Sequence, residues 1–475
     1  MSATSTQYRL GMIGLGTMGR NLLLNLADHG FAVAGYDTAA TKLELLAQEG
    51  AGKPVAGFGS LPDFVASLQQ PRAIMLLVPA GRVVDSVIEE LRPLLAPGDL
   101  IIDGGNSHFT DTERRATALS AQGLHFFGMG VSGGEAGARF GPSLMPGGDR
   151  QAYEVVRPLL EAIAARVDGE PCVAYLGPGA AGHFVKMVHN GIEYGLMQLI
   201  AETYAVLQHG LGLSNQAIGS LFGQWNEGRL QSFLLEITRD IFAFRAPGAD
   251  GLLLDAIKDE ARAKGTGKWT SQVAMDLELP IPVIDAAVSA RDTSKYKALR
   301  EQLAELIGGN AAFAGEAAAL AAQVEQALYF AAALSYAQGM HLLSKASQAY
   351  GYELQPASIA KLWRGGCIIR AAFLADILQA YQQEPALPHL LLDPAIRQHV
   401  TQAAAGARAV VGAAVAAGIP VPAYAAALSY FDALRTERLP SNLIQAQRDY
   451  FGAHTYELIG REGVFHTEWQ APGQA

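Results

Sequence analysis

Residues 8–37 read YRLGMIGLGTMGRNLLLNLADHGFAVAGYD, and this stretch decides the fold of the first part of the chain. An apolar run ends at Ile13, the turn GLGTMG follows, and RNLLLNLADHG then has the apolar spacing of a helix. A second apolar run, FAVAGYD, comes directly after it. This order of strand, glycine turn, helix and strand predicts a βαβ unit in a Rossmann-like α/β domain.

The glycine turn predicts that this unit binds a dinucleotide. Gly14, Gly16 and Gly19 have the GxGxxG spacing, and Asp37 closes the second strand. Glycine lets the backbone approach a pyrophosphate at the helix N-terminus, and an acid at the strand end can bind ribose hydroxyls. Glycine turns are common, so the motif alone is a weak signal, but the strand, helix and acid around it strengthen the prediction. Further strand-like runs, AIMLLVP and DLIIDGGN, alternate with helical segments, as a doubly wound sheet requires.

Length, charge and cysteine content limit the class of protein. A chain of 475 residues, 50% of them hydrophobic, can bury a large core and should divide into two or three domains. The net charge of −10 and the lack of a basic tract argue against nucleic acid as a partner. Only two cysteines occur, Cys172 and Cys367, without metal-ligand spacing. We therefore expect neither disulfides nor a metal site, and a cytoplasmic location.

Neither a signal peptide nor a membrane span is predicted. The N-terminal MSATSTQYRL has no apolar segment. The uncharged run 409–431 is long enough to be considered a span, but it is rich in alanine and broken by glycine and proline. A helix followed by a turn fits this run better, so we expect no membrane partner.

The stretch GHFVKMVHNGIEYG, residues 182–195, carries four polar residues within an apolar helical pattern. They stand at i, i+3, i+4 and i+7 and so share one helix face. A surface helix is the commoner explanation, but Gly191 and Gly195 would weaken a helix unless something packs very close. We therefore favour a buried helix that lines a functional site. The four polar residues are Lys186, His189, Asn190 and Glu193.

Beyond about residue 180 the strand signal fades and Ala/Leu-rich helical patterns continue to about residue 436. Part of this region is duplicated, because LSNQAIGSLF at 213–222 resembles LQPASIAKLW at 354–363, an offset of 141. With this offset, the four polar residues of the first copy correspond to apolar residues of the second. The second copy therefore has no polar stripe, which favours chemistry as the reason for the first. The corresponding residues are Ala327, Phe330, Ala331 and Leu334.

Five long motifs stand out besides the stretch at 182–195. They are IIDGGNS at 101–107, GVSGGEAGARFGPSLMPGG at 130–148, KGTGKWT at 264–270, WRGGCIIR at 363–370 and IQAQRDYFGAHTYE at 444–457. Together these motifs resemble those of the 6-phosphogluconate dehydrogenase family of about 470 residues. The resemblance implies a Rossmann domain, which we place at 1–179, and a large all-α substrate and dimerisation domain with an internal duplication at 180–436. It also implies a C-terminal tail, 437–475, that reaches into the partner subunit of a homodimer.

The resemblance implies oxidative decarboxylation of 6-phosphogluconate to ribulose 5-phosphate and CO₂, with reduction of NAD or NADP. Lys186 would be the base that takes the hydroxyl proton, and Glu193 the acid that protonates the enediol. Seven residues separate them, about 10 Å along a helix, which suits two groups that flank a sugar acid. Lys186 must be neutral to act as a base, and burial would favour this state. The chemistry needs no metal, because the β-keto acid formed by oxidation decarboxylates to an enediol that hydrogen bonds stabilise.

The resemblance also assigns contact residues, some of which would otherwise be read as turn residues or surface charges. Arg448 and His454 would come from the partner's tail, so that a complete site requires the dimer. The implied substrate contacts are Asn106, Ser132, Gly133, Gly134, His189, Asn190, Tyr194, Lys264, Thr266, Arg291, Arg448 and His454. The implied cofactor contacts are Gly14, Gly16, Thr17, Met18, Gly19, Asp37, Val78 and Asn106.

The cofactor site departs from the family pattern of NADP-dependent members. Asp37, Thr38 and Ala39 replace the usual Asn-Arg-Thr, and Pro79 in VPAG replaces a lysine. A carboxylate at the strand end can bind both ribose hydroxyls but repels a 2′-phosphate. We therefore expect NAD to be preferred, with NADP possible if Lys42 or Arg82 replaces the lost cations.

Two other functions are compatible with parts of this pattern. A related β-hydroxyacid dehydrogenase would share Lys186 but act on a smaller, unphosphorylated acid, and Lys264, Arg291 and Arg448 argue against it. A non-catalytic dinucleotide-binding protein would not need both Lys186 and Glu193.

Overall fold

A seven-stranded sheet forms the first part of the computed structural model, which describes residues 7–246, 251–308, 313 and 317–469. The strand order is β3-β2-β1-β4-β5-β6-β7, with parallel pairs up to β6 and an antiparallel edge strand β7. The strands are β1 (Leu10–Ile13), β2 (Val33–Tyr36), β3 (Val55–Phe58), β4 (Ala73–Leu76), β5 (Leu100–Asp103), β6 (His125–Ser132) and β7 (Ser143–Gly148).

Helices cover both faces of this sheet, which is why its central strands are apolar at almost every position. LGMI in β1, AIML in β4 and LIID in β5 are buried throughout. The helices are α1 (Thr17–Asp28), α2 (Ala40–Glu49), α3 (Leu61–Ala66), α4 (Arg82–Leu91), α5 (Phe109–Ser120), α6 (Gly134–Phe140) and α7 (Arg150–Ile163), followed by a short hairpin of β8 (Arg166–Val167) and β9 (Glu170–Pro171). The predicted Rossmann-like domain is confirmed.

The strand order reverses between β1 and β4, which are neighbours although two strands separate them in sequence. In open α/β sheets this reversal opens a crevice at the carboxyl ends of the strands, where ligands bind. The glycine turn follows β1 at that edge, so the fold places the predicted dinucleotide site there.

Helices make up the next part of the chain, as predicted. They are α8 (Ala181–Ala205), α9 (Asn215–Trp225), α10 (Phe233–Ala243), α11 (Leu253–Ala256), α12 (Thr266–Asp276), α13 (Pro282–Ser294), α14 (Lys297–Ile307), α15 (Ala317–Tyr350), α16 (Pro356–Trp363), α17 (Phe373–Gln383), α18 (Pro394–Ala416) and α19 (Pro422–Leu434). The uncharged run 409–431 covers the end of α18, a turn and most of α19. Among the helices of the described residues, none has the length and hydropathy to span a bilayer.

The two segments that were matched as a duplication lie in α9 and α16. Each follows a long helix, α8 in the first copy and α15 in the second. These long helices approach closely, because a Cβ at Gly195 would lie 2.4 Å from Ser335 Oγ. At Gly191 a Cβ would lie 2.6 Å from Thr270 Cγ2. Both glycines of α8 therefore stand where another helix packs against it, as predicted.

The described residues from Leu428 to Trp469 belong to a second compact unit, and the first unit ends at Ala427. The second unit contains α20 (Ser441–Gly452) and a hairpin of β10 (Tyr456–Leu458) and β11 (Arg461–Phe465). Asp449 organises this unit, since its carboxylate accepts bonds from the amides of Thr455 and Thr467 and the Trp469 indole. Burial opposes ionisation, but these bonds and that of His466 hold the pKa of Asp449 at about 2. The predicted domain limits at 179/180 and 436/437 stay predictions.

Candidate active site

The glycine turn after β1 leaves a backbone surface open for a pyrophosphate. Gly14 has a φ of 95°, and a Cβ there would lie 2.5 Å from the Leu77 carbonyl oxygen. A Cβ at Gly19 would lie 2.0 Å from the Gly14 carbonyl oxygen. With any other residue at this position, α1 could not start this close to β1. A Cβ at Gly16 would meet nothing within 4 Å, and no side chain caps the first turn of α1. Its amides therefore remain available to an anion. The turn also brings two further predicted contacts, Thr17 and Met18, into that first turn.

Asp37 lies at the end of β2, as predicted, and is 7% exposed. Its Oδ2 accepts bonds from the Leu15 amide at 2.8 Å and from Lys42 Nζ at 3.1 Å, while Oδ1 accepts the Ala39 amide at 3.0 Å. Burial raises the pKa of Asp37, but these bonds outweigh it and the net shift is downward. The carboxylate is therefore ionised, tied to the glycine turn and paired with a lysine. The sequence interpretation did not place Lys42 on Asp37.

The loops that follow β4 and β5 lie side by side at the same edge. Val78 follows β4, and Asn106 lies exposed in the loop after β5. A Cβ at Gly105 would lie 3.3 Å from the Val78 carbonyl oxygen, so the two loops are in contact. The structure thus brings together Val78 and Asn106, two of the predicted cofactor contacts.

The polar stripe on α8 is buried, so the alternative of a surface helix is wrong. Lys186 is 6% exposed, His189 0% and Asn190 9%, while the Glu193 side chain is 22% exposed. The stripe faces the sheet, because a Cβ at Gly130 in β6 would lie 2.4 Å from the Lys186 Cβ. Because Gly130 has no side chain, α8 can pack directly against β6 at this point.

Lys186 and Glu193 converge on the ring of His189. Lys186 Nζ lies 3.3 Å from His189 Nδ1, and Glu193 Oε2 lies 3.8 Å from the same nitrogen. Burial lowers the pKa of Lys186, although Glu193 and Cys367 oppose it. Burial raises the pKa of Glu193, although Lys186 and Arg291 oppose it. Both shifts favour neutral groups, a free amine and a protonated acid, and such pairs suit base and acid roles.

His189 connects the stripe to the glycine loop after β6. Its Nε2 lies 3.2 Å from Ser132 Oγ, and its Nδ1 lies 3.0 Å from Asn190 Oδ1. Burial, with Lys186 nearby, holds the pKa of His189 well below its ordinary value. The imidazole is therefore neutral, and each ring nitrogen can donate or accept according to the tautomer.

The glycine loop itself depends on positive φ angles. Gly133 has a φ of 128° and Gly134 a φ of 63°. A Cβ at Gly133 would lie 2.6 Å from the Gly366 carbonyl oxygen, so the loop packs directly beneath the segment after α16. Both predicted substrate contacts thus lie next to Ser132 and the α8 stripe.

The segment after α16 completes this wall, and its residues had no predicted role. The Ile368 amide donates to Ser132 Oγ at 3.4 Å, and the Trp363 ring meets the His189 ring edge-on with centroids 5.7 Å apart. The Cys367 thiol is buried near Lys186, and burial raises its pKa to about 12. The motif WRGGCIIR was the available signal, but nothing in it indicates which groups face the site.

Tyr194, one of the predicted substrate contacts, packs against α12 and α13. The Arg291 guanidinium carbon lies 3.6 Å from the centre of the Tyr194 ring. A Cβ at Gly267 would lie 2.4 Å from the same ring, which brings the start of α12 against it. Thr266, the first residue of α12, is buried, and Lys264 is exposed two residues earlier. These four predicted residues lie on three adjoining helices or next to them.

Arg448 and His454 belong to the C-terminal unit. Arg448 lies on α20 and donates to Gln445 Oε1 at 3.1 Å, and His454 follows that helix. The predicted contact of both residues with the substrate of a partner subunit stays a prediction. Within the described residues, no group of three or more His, Cys, Asp or Glu side chains is placed to hold a metal ion.

Two family profiles match nearly the whole chain. The profile described as the NAD binding domain of 6-phosphogluconate dehydrogenase matches residues 9–177, and that described as the C-terminal domain of 6-phosphogluconate dehydrogenase matches residues 182–469. A decarboxylating 6-phosphogluconate dehydrogenase of Synechococcus elongatus is 52% identical, with 97% of this chain and 99% of the relative covered. An NADP-dependent, decarboxylating one of Bacillus subtilis is 49% identical, with 98% and 99% covered.

A solved structure is similar over the same extent. The 6-phosphogluconate dehydrogenase of Plasmodium falciparum, studied in its apo form and in complex with NADP⁺ and with 6-phosphogluconate, has a TM-score of 0.94 and 41% identity. The match covers 97% of this chain and 100% of that one.

Proposed function

Because the chain belongs to the 6-phosphogluconate dehydrogenase family, we propose that Lys186 and Glu193 are the base and the acid of its reaction. The protein oxidises and decarboxylates 6-phosphogluconate to ribulose 5-phosphate and CO₂, with reduction of NAD(P). The observation that carries the assignment of roles is the buried pair itself. Its amine has a lowered pKa and its carboxyl a raised pKa, and both flank one neutral imidazole.

The glycine turn fits a dinucleotide, since Gly14 and Gly19 keep its backbone close to α1 and Gly16 borders open space. Gly14, Gly16, Gly19 and Asp37 would hold the adenosine and pyrophosphate, and Val78 and Asn106 would lie at the nicotinamide. The bound cofactor supplies a hydride acceptor. These residues bind and orient it at the sheet edge.

Lys186 acts on the substrate first. Its neutral amine takes the proton of the C3 hydroxyl as the C3 hydride leaves, and the ammonium then stabilises the new carbonyl oxygen. The resulting β-keto acid loses C1 as CO₂ while the Lys186 ammonium returns its proton to the C3 oxygen, which leaves an enediol and a neutral amine. Glu193, whose pKa burial raises, delivers a proton to the enediol carbon, and the Lys186 amine takes the proton of the enediol oxygen. Ribulose 5-phosphate is then released.

The remaining stripe and the helices around it hold the substrate. Ser132, Gly133 and Gly134 would meet the carboxylate, and His189 and Asn190 the sugar hydroxyls. Cations and hydroxyls at the other end would bind the phosphate, for which Arg291 is already held on the Tyr194 ring. The proposed phosphate contacts are Tyr194, Lys264, Thr266, Arg291 and, from the partner, Arg448 and His454.

One assay separates this function from the two alternatives. The protein is mixed with 6-phosphogluconate and NAD or NADP, and the absorbance of reduced cofactor is followed together with CO₂ release. We expect one CO₂ for each reduced cofactor. Reduction only with small unphosphorylated hydroxy acids would indicate the related β-hydroxyacid dehydrogenase. Cofactor binding without turnover of any of these acids would indicate a non-catalytic protein.

We further propose that NAD is preferred over NADP, unlike the relative from Bacillus subtilis, which is named NADP-dependent. Asp37 is ionised. Of the bonds described above, its Oδ1 accepts one, from the Ala39 amide, so this oxygen can also accept a bond from a ribose hydroxyl. Lys42 already pairs with Asp37. A 2′-phosphate would have to compete for that ammonium beside a carboxylate, which disfavours NADP.

Steady-state kinetics with both cofactors at saturating 6-phosphogluconate test this preference. We expect kcat/KM to favour NAD at least about tenfold, or about 1.4 kcal/mol. Asp37→Asn combined with Thr38→Arg should move the ratio towards NADP. Lys42→Met is the matched control. If Lys42 binds a 2′-phosphate rather than pairing with Asp37, this change lowers kcat/KM for NADP and leaves kcat/KM for NAD unchanged. Equal or better use of NADP by the unmodified protein contradicts the proposal.

The homodimer with exchanged tails is also a proposal. The C-terminal unit exposes large apolar side chains, which is unusual for a surface that only water contacts. They include Leu443, Ile444, Phe451 and Ile459. Truncation before Arg448 should raise the KM for 6-phosphogluconate far more than that for the dinucleotide, and an unchanged KM for the substrate would contradict a role of the tail in the site. Both cysteines are free and buried, which supports the proposed cytoplasmic location.

A further inference from the structure

Arg115 on α5 is a nearly completely buried cation that the reaction above does not use. Its side chain is 2% exposed. Two loops meet next to it, the β4 loop (residues 77–81) and the β5 loop (residues 104–108), which follow adjacent parallel strands. A buried charge is costly unless hydrogen bonds and counter-charges satisfy it, so the partners of this guanidinium indicate what it holds.

The guanidinium contacts the ends of both loops at once. Arg115 Nη2 donates to the Gly81 carbonyl at 3.0 Å, at the end of the β4 loop. Its Nε donates to Asp85 Oδ1 at 2.8 Å, in the first turn of α4, which follows that loop. Its Nη1 donates to Asp103 Oδ2 at 3.4 Å, at the end of β5. Only a planar fork can satisfy these three directions together.

The β5 loop is fixed around the same groups. The Gly105 amide donates to Asp103 Oδ1 at 3.0 Å, and the Ser107 hydroxyl donates to Asp103 Oδ2 at 2.6 Å. Arg115 Nη1 also donates to Ser107 Oγ at 3.4 Å. Asn106 lies between Gly105 and Ser107, so its backbone is held on both sides by the carboxylate that the guanidinium contacts.

We propose that Arg115 is a positioning residue for hydride transfer, which holds the β4 and β5 loops together so that Val78 and Asn106 place the nicotinamide against C3 of the substrate. The proposal rests on the proposed function of those two residues. The adenosine half of the cofactor would be bound by the glycine turn and Asp37, none of whose bonds involve Arg115. Loss of Arg115 should therefore affect the nicotinamide half of the cofactor and leave the adenosine half unchanged.

The test compares NAD with ADP-ribose, which has the adenosine half but no nicotinamide. In Arg115→Gln we expect kcat/KM for NAD to fall at least about tenfold, since small displacements of a reacting group are costly. The Kd for ADP-ribose should stay within about twofold of the unmodified protein. The isotope effect with 6-phosphogluconate deuterated at C3 should rise, because hydride transfer becomes more rate-limiting. Arg115→Lys keeps the charge without the fork, and its effects should be intermediate.

Arg114→Gln is the matched control. Arg114 is adjacent and bonds the same Asp85, but its side chain is 57% exposed and none of its bonds reach either loop. We expect its kinetics to match those of the unmodified protein. If Arg115→Gln does not fold, Ser107→Ala replaces it. That variant removes a single side chain from the network and should lower kcat/KM for NAD less, with the same unchanged Kd for ADP-ribose.

Two results would overturn the proposal. Equal weakening of ADP-ribose and NAD would mean that Arg115 supports the whole domain and not the loops. Unchanged kcat/KM in both Arg115→Lys and Ser107→Ala would mean that the loops keep their positions without the network. ADP-ribose binding requires no turnover, so an unmodified protein that binds it but does not oxidise 6-phosphogluconate would contradict the proposed function and not this fold-based inference.

Discussion

Helices α8 and α15 are the long helices of the two similar segments, and they differ in what they bury. Along α8 the sheet covers a lysine, a histidine and an asparagine. The corresponding positions of α15 hold Ala327, Phe330, Ala331 and Leu334, each 0% exposed. Burial of polar groups costs free energy that burial of apolar groups gains. The comparison indicates that α15 supports the fold, while α8 buries polar groups at a cost in stability.

Each of the two helices also supplies a side chain that accepts amide hydrogen bonds at the start of another helix. Glu202 near the end of α8 accepts the amides of Ala423 and Tyr424 at the start of α19, at 2.9 and 3.0 Å. Gln338 on α15 accepts the Val283 amide at the start of α13, at 3.1 Å. Each long helix thus satisfies the N-terminus of a helix that lies in the other half of the helical region, which joins the two segments into one core.

The largest expected effect comes from Lys186 on α8. Lys186→Met should lower kcat by about 10²- to 10⁴-fold because no base remains to take the hydroxyl proton. Dinucleotide binding and thermal stability should persist. Lys345→Met, the same change at an exposed position of α15, is the control and should leave kcat unchanged. Turnover of Lys186→Met within about tenfold of the unmodified protein would contradict the assignment.

On α15 the corresponding change should affect stability and not chemistry. Phe330→Ala should lower the free energy of unfolding by about 3–5 kcal/mol, because it leaves a cavity in a fully buried position. KM and kcat should stay near their original values under conditions where the variant is folded. Urea unfolding measures the loss, with Val415→Ala on α18, 67% exposed, as the control. A stable Phe330→Ala variant with low activity would refute the division between the two helices.

Glu202 gives α8 a pH dependence of stability. Burial raises its pKa to about 7, against 4.5 ordinarily. The unfolded chain therefore releases this proton first, and stability falls as the pH rises from about 4.5 to about 7, by at most about 3 kcal/mol. Glu202→Gln cannot titrate, so the difference in unfolding free energy between variant and unmodified protein should shift in favour of the variant over that range. Exposed Glu305→Gln is the control, and a constant difference for Glu202→Gln would contradict the raised pKa.

His389, which lies beside α15, should give stability a pH dependence of the opposite sign. The His389 ring meets that of His341 edge-on, and burial together with His341 lowers its pKa to about 4. Because the unfolded chain binds this proton first, stability should fall by at most about 3 kcal/mol as the pH decreases from about 6.5 to about 4. His389→Asn keeps an acceptor for the Leu391 amide and should remove that loss. Equal acid sensitivity of both proteins in urea titrations at several pH values would exclude His389 as its source.

Local pattern was enough to predict the βαβ unit, the glycine turn and the polar stripe. Each of these three features depends on residues that are close together in the sequence. The motif at 182–195, for example, places four polar groups on one helix face regardless of which elements pack against that helix. Asp37 was predicted to accept hydrogen bonds from the ribose hydroxyls, and in the fold it also accepts a bond from the Leu15 amide and pairs with Lys42. That pairing depends on how α2 turns back beside β2, which spacing along the chain does not specify.

The sequence by itself therefore determined which polar residues share one face of α8, because residue type and helical period fix the members of a face. Only the tertiary structure decided the protonation states and hydrogen-bond partners of these residues. Lys186 has a lowered pKa because burial against β6 removes it from water, although Glu193 and Cys367 oppose the shift. Arg115 spans two loops because α5 packs behind them. Desolvation and hydrogen bonding come from groups far along the chain, so the protonation state of a residue is a property of the packed fold and not of its motif.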